Sequence, residues 1–199
     1  MKYFIIGLHS SGKQEVVDQL ENLGVKCGKL FSNIDKPSTD LYNSFNYELY
    51  TMKDINEIFE NNAYVFIQEL QTKSNSSSFK FFEGLSKYTF DNNDVFVISP
   101  DQLINIAQNN VQEHVCFVWL DNTKNYRKSK YYNEKRSYNF NERESIEKKD
   151  INEFVKYIYG FGDSDIIYFN DEEPERISTI IYTLIKHPEL YKLYIKNFS

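Results

Sequence analysis

The 199 residues carry 23 Lys and Arg against 29 Asp and Glu, and a formal charge of −6 argues against a general binder of nucleic-acid polymers or anionic membranes. The length suits one compact domain, and although the hydrophobic share is only 41%, 16 Tyr and 16 Phe promise an aromatic-heavy core. Cys27 and Cys116 stand singly in apolar runs without metal-ligand spacing, so buried thiols in a cytoplasmic, reducing setting are expected and a metal site is not; the apolar Tyr3–Ile6 run is far too short for a signal or a membrane span.

Strands and helices alternate along the chain, the pattern of an α/β fold with a mainly parallel sheet. Lys2–Ile6 predicts a strand that stops at Gly7. Val16, Val17, Leu20 and Leu23 recur at helical spacing over Lys13–Leu23, and Gly24 suits the stop. Val25–Phe31 predicts a second strand, and polar Ser32–Ser44, with Pro37, a loop. Tyr47–Thr51 reads as a strand, Met52–Asn61 as a helix with Ile55, Ile58 and Phe59 on one face, and Ala63–Leu70 as a strand. Thr72–Ser78 is polar and reads as a turn or flexible loop, Phe79–Phe82 as a returning strand, Gly84–Phe90 as a short helix. Val95–Ile98 and Val115–Leu120 predict buried strands, with Pro100 opening the helix between them. Asp121–Glu144 is polar, basic and without a clear apolar face. Glu147–Tyr159 resumes helical spacing, Ile166–Phe169 supplies a last strand, and Glu173–Ile185 and Pro188–Asn197 close the chain as helices.

Chemistry enters at Gly7-Leu-His-Ser-Ser-Gly12-Lys13, the Gly-x4-Gly-Lys core of a Walker A phosphate loop between a strand and a helix. Its glycines permit positive φ and close backbone approach, so successive N–H groups can converge on phosphate oxygens, and the helix start adds its positive dipole end. Lys13 supplies a mobile charge. Gln14 stands where a hydroxyl residue normally faces Mg²⁺, which leaves the metal to water, phosphate and an acid elsewhere, with Asp101 a candidate for that acid. His9 has no assigned role.

From about Tyr3 to Ile185 the chain resembles guanylate kinases and related nucleoside-monophosphate kinases. The resemblance rests on the N-terminal loop, on Asn46-Tyr47-Glu-Leu-Tyr-Thr51 followed by Lys53–Phe59, on Tyr64–Glu69, on Phe82-Glu-Gly84-Leu-Ser86 and on Asp165-Ile-Ile-Tyr-Phe-Asn170-Asp171. It implies a P-loop NTPase fold with a core of 1–31, 91–120 and 147–199, a monophosphate-binding insert near 32–90 and a lid near 121–146. It implies an ATP site at Gly7, Ser10, Ser11, Gly12, Lys13 and Gln14, with Asn170 and Asp171 beside the adenine. Glu69 would read a guanine edge with Ser86 nearby, Tyr47 would hold the acceptor phosphate, and Ser32, Lys36 and Asp101 would line the acceptor site. Lid cations would come from Arg127, Lys130, Arg136, Arg143, Lys148 and Lys149.

The implied activity moves the ATP γ-phosphate to a (deoxy)nucleoside monophosphate, a purine one by the resemblance, with Mg²⁺ as cofactor and a monomer or homodimer acting on small-molecule nucleotides. Transfer of this kind needs alignment and charge neutralisation from a mobile basic element, and Asp121–Glu144 suits that part as well as it suits a solvated loop. Two departures keep other readings open: Ile34–Ser38 offers only Lys36 where the family has arginines, and Phe82 lacks a hydroxyl. The alternatives are a kinase of the same fold with a different or modified nucleotide acceptor, and a catalytically weak module that binds a protein.

Overall fold

The computed structural model describes residues 1–33, 47–74, 77–108, 115–133, 139–160 and 165–191. Strand β1 (Lys2–Gly7) lies at the centre of a five-stranded sheet with β2 (Cys27–Gly28), β7 (Val95–Val97), β8 (Val115–Leu120) and β9 (Asp165–Phe169). The order is β2-β7-β1-β8-β9 and every pairing is parallel. A parallel sheet is covered on both faces, so its strands are apolar without alternation, as Tyr3-Phe4-Ile5-Ile6 and Val115–Val118 are. The two-residue period divides the work: Tyr3 and Ile5 enter one core with Val16, Leu20 and Ile181, while Phe4 and Ile6 enter another with Phe96, Leu103 and Phe154.

The first core is roofed by α1 (Lys13–Asn22) and α7 (Pro174–Lys186), tied by a hydrogen bond from Ser178 Oγ to Gln19 Oε1 of 3.0 Å. The second is covered by α4 (Pro100–Gln108) and the long α6 (Phe140–Gly160), and Phe4 makes edge contacts there with the rings of Phe90, Phe96 and Phe117. The expectation of a mainly parallel sheet flanked by helices is met.

A second sheet, in the order β4-β3-β6-β5, is built from β3 (Leu30–Ser32), β4 (Tyr47–Leu49), β5 (Tyr64–Ser74) and β6 (Ser77–Ser86). Helix α2 (Met52–Glu60) follows β4, opened by a reciprocal capping box between Thr51 and Asp54, and α3 (Lys87–Asn92) follows β6 under a Ser86 cap.

Four expectations are corrected here. The stretch Val25–Phe31 is two strands in two sheets, parting at Lys29: Gly28 lies flat against the Phe96 ring, whereas Leu30 and Phe31 turn into the second sheet. Thr72–Ser78 is not a loop beyond the undescribed 75–76, because cross-strand pairing from Gln71↔Lys80 to Ser74↔Ser77 overrides its polar composition. Gly84–Ser86 extends β6, and the helix starts only at Lys87. Asp121–Glu144 holds α5 (Lys124–Asn133) and the first turn of α6, and among its described residues those buried are Asn122, Arg127, Phe140 and Glu144. A charged and aromatic inner face leaves no aliphatic periodicity to read. The loop from 34 onward and the closing helix past Tyr191, preceded by a 3₁₀ turn at Pro188–Leu190, lie outside the described residues. Among the described residues no helix is long and apolar enough to cross a membrane.

Gly84 lets β6 approach β5 closely: a Cβ there would collide with the Phe66 carbonyl and lie 2.7 Å from Phe31 Cζ. Gly84→Ala is expected to lower unfolding stability by about 1–3 kcal/mol, read as a fall in the urea midpoint; an unchanged midpoint would contradict the close packing.

Candidate functional site

Parallel strands deliver the chain to one edge of the sheet, and β1 sits where the strand order reverses, between β7 and β8. The loop from Gly7 to Lys13 occupies that edge. Ser10 has φ 55° and Gly12 φ 93°, both left-handed, and Gly7 is at φ 152° where a side chain would meet the Leu120 carbonyl at 2.8 Å. Such alternation curls consecutive N–H groups toward one side at the head of α1. Lys13 folds back across the loop, Nζ donating to Gly7 O (2.7 Å) and Leu8 O (2.9 Å). Ser11 is buried, and Ser10 Oγ is a buried hydroxyl that meets no partner among the described residues.

Gln14 turns along α1, Nε2 donating to Asp18 Oδ1 at 2.7 Å. Among the described residues no group of three His, Cys, Asp or Glu side chains could hold a metal, and Asp101 accepts from Gln68 in a different cluster.

Helices α5 and α6 bring cations to this loop. Arg127 is buried, donating Nε–H to Asn122 O (3.1 Å) and Nη2–H to Glu144 Oε1 (2.5 Å), while Nη1 is buried without a partner among the described residues. Lys130 pairs with Glu15, and its Nζ lies 3.4 Å from where a Gly12 side chain would begin. Arg143 Nε donates to Glu147 Oε1 at 2.8 Å. Glu144 also pairs with Lys124 (2.7 Å) and Lys148 (3.5 Å). Burial alone would raise the Glu144 carboxyl, but hydrogen bonds from Lys124 and Arg127 hold it down at about 2. Lys149 is exposed on α6, away from this inner face, and Arg136 lies outside the described residues.

Asn122, at the carboxyl end of β8, joins the loop to the end of β9. Its Nδ2 donates to Ser11 O (2.7 Å) and its Oδ1 accepts from Asp171 N (3.1 Å); Asp171, at φ 49°, accepts from Thr123 N at 2.7 Å. Asn170 and Asp171 are exposed beside it.

The second sheet holds a separate polar cluster against α4. Glu83, 1% exposed, accepts from Gln68 Nε2 and, at 2.8 Å, from Gln102 Nε2, which also donates to Tyr47 Oη at 2.9 Å. Gln68 Nε2 donates further to Asp101 Oδ2 (3.1 Å), and Asn105 Nδ2 to Gln68 Oε1 (2.6 Å). Burial, then the neighbouring Asp101 charge, pushes the Glu83 carboxyl up to about 7. The cluster gathers Tyr47 and Asp101, two expected acceptor residues. Glu69 does not face it: one residue on from Gln68, it points to solvent and pairs with Lys80 at 2.6 Å, which corrects the expectation that it reads a base here. Ser86 is committed to capping α3 through Thr89 N (3.1 Å), Ser32 is buried in β3, and Lys36 lies outside the described residues.

Residues without an expected role thus carry much of the site: His9 with Glu147, Asn122, Gln68, Glu83 and Gln102. Two of them had a local signal that could have found them: Asn122 is a polar residue two positions past the end of a buried parallel strand, and Glu83 is an acid between Phe82 and Gly84.

Glu83 also sets a pH dependence. Its folded pKa of about 7 stands above the ordinary 4.5, so between these values the folded state keeps a proton that the unfolded state releases, and stability falls as pH rises through that window. Glu83→Gln removes the buried charge while keeping an acceptor oxygen. Its melting temperature relative to wild type is expected to be more favourable at pH 8 than at pH 5; a difference independent of pH would overturn the assignment.

By sequence, no protein-family model matches the chain and no curated protein does. By fold it is similar to a guanylate kinase from Anaplasma phagocytophilum, known from a crystal structure, with a TM-score of 0.53 over 96% of this chain and 86% of that one, at 11% identity. So low an identity carries the architecture alone, and the chain has a guanylate-kinase-like α/β fold.

Proposed function

We propose that the chain is an ATP-dependent phosphotransferase that moves the γ-phosphate to a nucleoside monophosphate. The observation that carries this reading is the left-handed turn at Ser10 and Gly12 heading α1 at the carboxyl edge of the parallel sheet, with Arg127, Lys130 and Arg143 brought to it from α5 and α6. Backbone amides and Lys13 would cradle the β- and γ-phosphates. Lys13 would exchange its hold on the Gly7 and Leu8 carbonyls for phosphate oxygens, a swap of neutral for charge-assisted hydrogen bonds. The buried Nη1 of Arg127 would find in the transferring oxygens an acceptor that the described protein groups do not offer. Asn170 and Asp171, exposed at the end of β9, would flank the adenine.

Mg²⁺ would arrive with ATP and supply charge neutralisation between the phosphates, held by them and by water, as this ion commonly is. The chain's own part is to align and to exclude water. In a transfer of this type little covalent chemistry is left to the protein.

The acceptor would enter between the second sheet and the loop, at the cluster around Tyr47, Gln68, Gln102 and Asp101. A second reading, the same reaction with a different or modified nucleotide acceptor, is favoured by Glu83. Gln102 is engaged with Glu83 and Tyr47, and Glu83 is an acid that offers an acceptor phosphate no positive charge and repels it once ionised. The solvent-facing Glu69 removes the main argument for guanine.

Isothermal titration with ATP–Mg²⁺, followed by a panel of purine and pyrimidine monophosphates, tests the reading. ATP binding in the micromolar range with ADP formed from at least one monophosphate is expected. Failure to bind ATP would refute it and favour a protein-binding module; ATP binding without any common acceptor would move the second reading ahead. Lys13→Ala is expected to lower ATP turnover by about 100-fold or more, while the melting temperature shifts by only a few degrees; unchanged turnover would refute the donor-site assignment.

A further inference from the structure

Glu147 lies on the inner face of α6, buried, and its two carboxylate oxygens hold groups far apart in sequence. Oε2 accepts the backbone N–H of His9 at 2.7 Å and His9 Nδ1–H at 2.8 Å; Oε1 accepts Nε–H of Arg143 at 2.8 Å. Burial alone would raise its carboxyl, yet the His9 hydrogen bond and the charges of Arg143 and Lys13 hold it at about 2. Burial lowers the His9 imidazole below its ordinary value, and because an ionised Glu147 can only accept, Nδ1 carries the hydrogen of this bond. The Phe140 ring closes edge-on against His9 with centroids 4.4 Å apart. One side chain of α6 therefore grips the main chain of the 7–13 loop and the guanidinium of Arg143, one turn earlier on the same helix.

A carboxylate at the mouth of an anion site opposes the anion unless its charge is balanced, and here Arg143 balances it. What the arrangement supplies is register. A free arginine side chain is spread over many rotamers, whereas one held through Nε by an acid that is itself hydrogen-bonded to the loop backbone has a set position relative to that backbone.

We propose that Glu147 is a positioning residue for phosphoryl transfer, tying Arg143 to the 7–13 loop so that cation and loop amides meet the transferring group in one alignment. This rests on the donor-site reading above. Displacing a charge by about 1 Å costs up to about 100-fold in rate, and the cost falls on the transition state rather than on ATP binding, which draws mainly on the loop and Lys13.

The test compares Glu147→Ala and Glu147→Gln with wild type by two measurements: ATP affinity by isothermal titration, and the rate of ADP formation with the best monophosphate of the panel, or with water as acceptor where none serves. Glu147→Ala is expected to lower kcat by about 30- to 100-fold while the ATP Kd stays within about threefold. Glu147→Gln keeps one acceptor for the His9 amide but not the ionic hold on Arg143, and is expected to fall between. Arg143→Ala should cost much less in the Glu147→Ala background than alone. Should Glu147→Ala fail to fold, the shape-conserving Gln variant carries the comparison. Unchanged kcat in the folded variants, or an ATP Kd that weakens by as much as kcat/KM falls, overturns the inference while leaving the donor site standing. A wild-type protein that binds no ATP overturns the donor site and this inference together.

Discussion

The site depends on one backbone constraint: the chain leaving β1 must reverse through left-handed residues before α1 begins. Ser10 at φ 55° is the costly member, since a residue with a side chain reaches that region against steric resistance. Gly12 meets the same demand at little cost. Because β7, β8 and β9 run parallel to β1, their carboxyl ends all arrive beside this reversal, and Asn122 and Asp171 stand there by virtue of topology alone. The bonds from Asn122 to Ser11 O and from Asp171 N to Asn122 then brace the turn from the side opposite the helix.

Around that turn charge is buried in two contrasting ways. Glu144 and Glu147 are ionised, each surrounded by cations or strong donors, and the attraction offsets a desolvation cost of several kcal/mol per ion. Among the described residues Glu83 is bonded by amides and a phenol with a second acid close by, so burial dominates and its proton is held to near neutrality. The basic helices α5 and α6 thus form a charge-balanced layer against the 7–13 loop, whereas the second sheet contains an acid with no cation among the groups that bond it.

Much of this was legible in the sequence where one period governed a segment. Lys2–Gly7, Val95–Val97 and Val115–Leu120 are apolar on both faces and emerge as parallel strands, and Pro100 and Gly24 mark a helix start and stop as their backbone preferences require. The Gly7–Lys13 spacing was readable because it specifies conformation as well as composition. The resemblance assigns Glu69 by its order along the chain, which does not encode which face of a strand a residue takes, and the facing of β5 puts Gln68 inward and Glu69 out. Helix α5 was hidden since the residue it buries is Arg127, so hydrophobic periodicity had nothing to register. The link between His9 and Glu147 spans 138 residues, and no local pattern encodes it.

The crossing between sheets at Gly28–Leu30 has a wider consequence. Strands β2 and β7 are hydrogen-bonded neighbours, Cys27 opposite Val95 and Gly28 opposite Phe96, and the entire second sheet is spliced into the chain between them. Departure and return are thus adjacent, roughly one strand spacing of 4.8 Å apart. An excursion with touching ends can change in length without disturbing the strand order of the first sheet, while Leu30, Phe66 and Leu85 still have to fill the core they share with Phe4 and Ile6. The two halves of the chain are thus joined at one narrow place, with Gly7, Gly12 and Lys13 on one side of it and Glu83 and Gln68 at the heart of the sheet on the other.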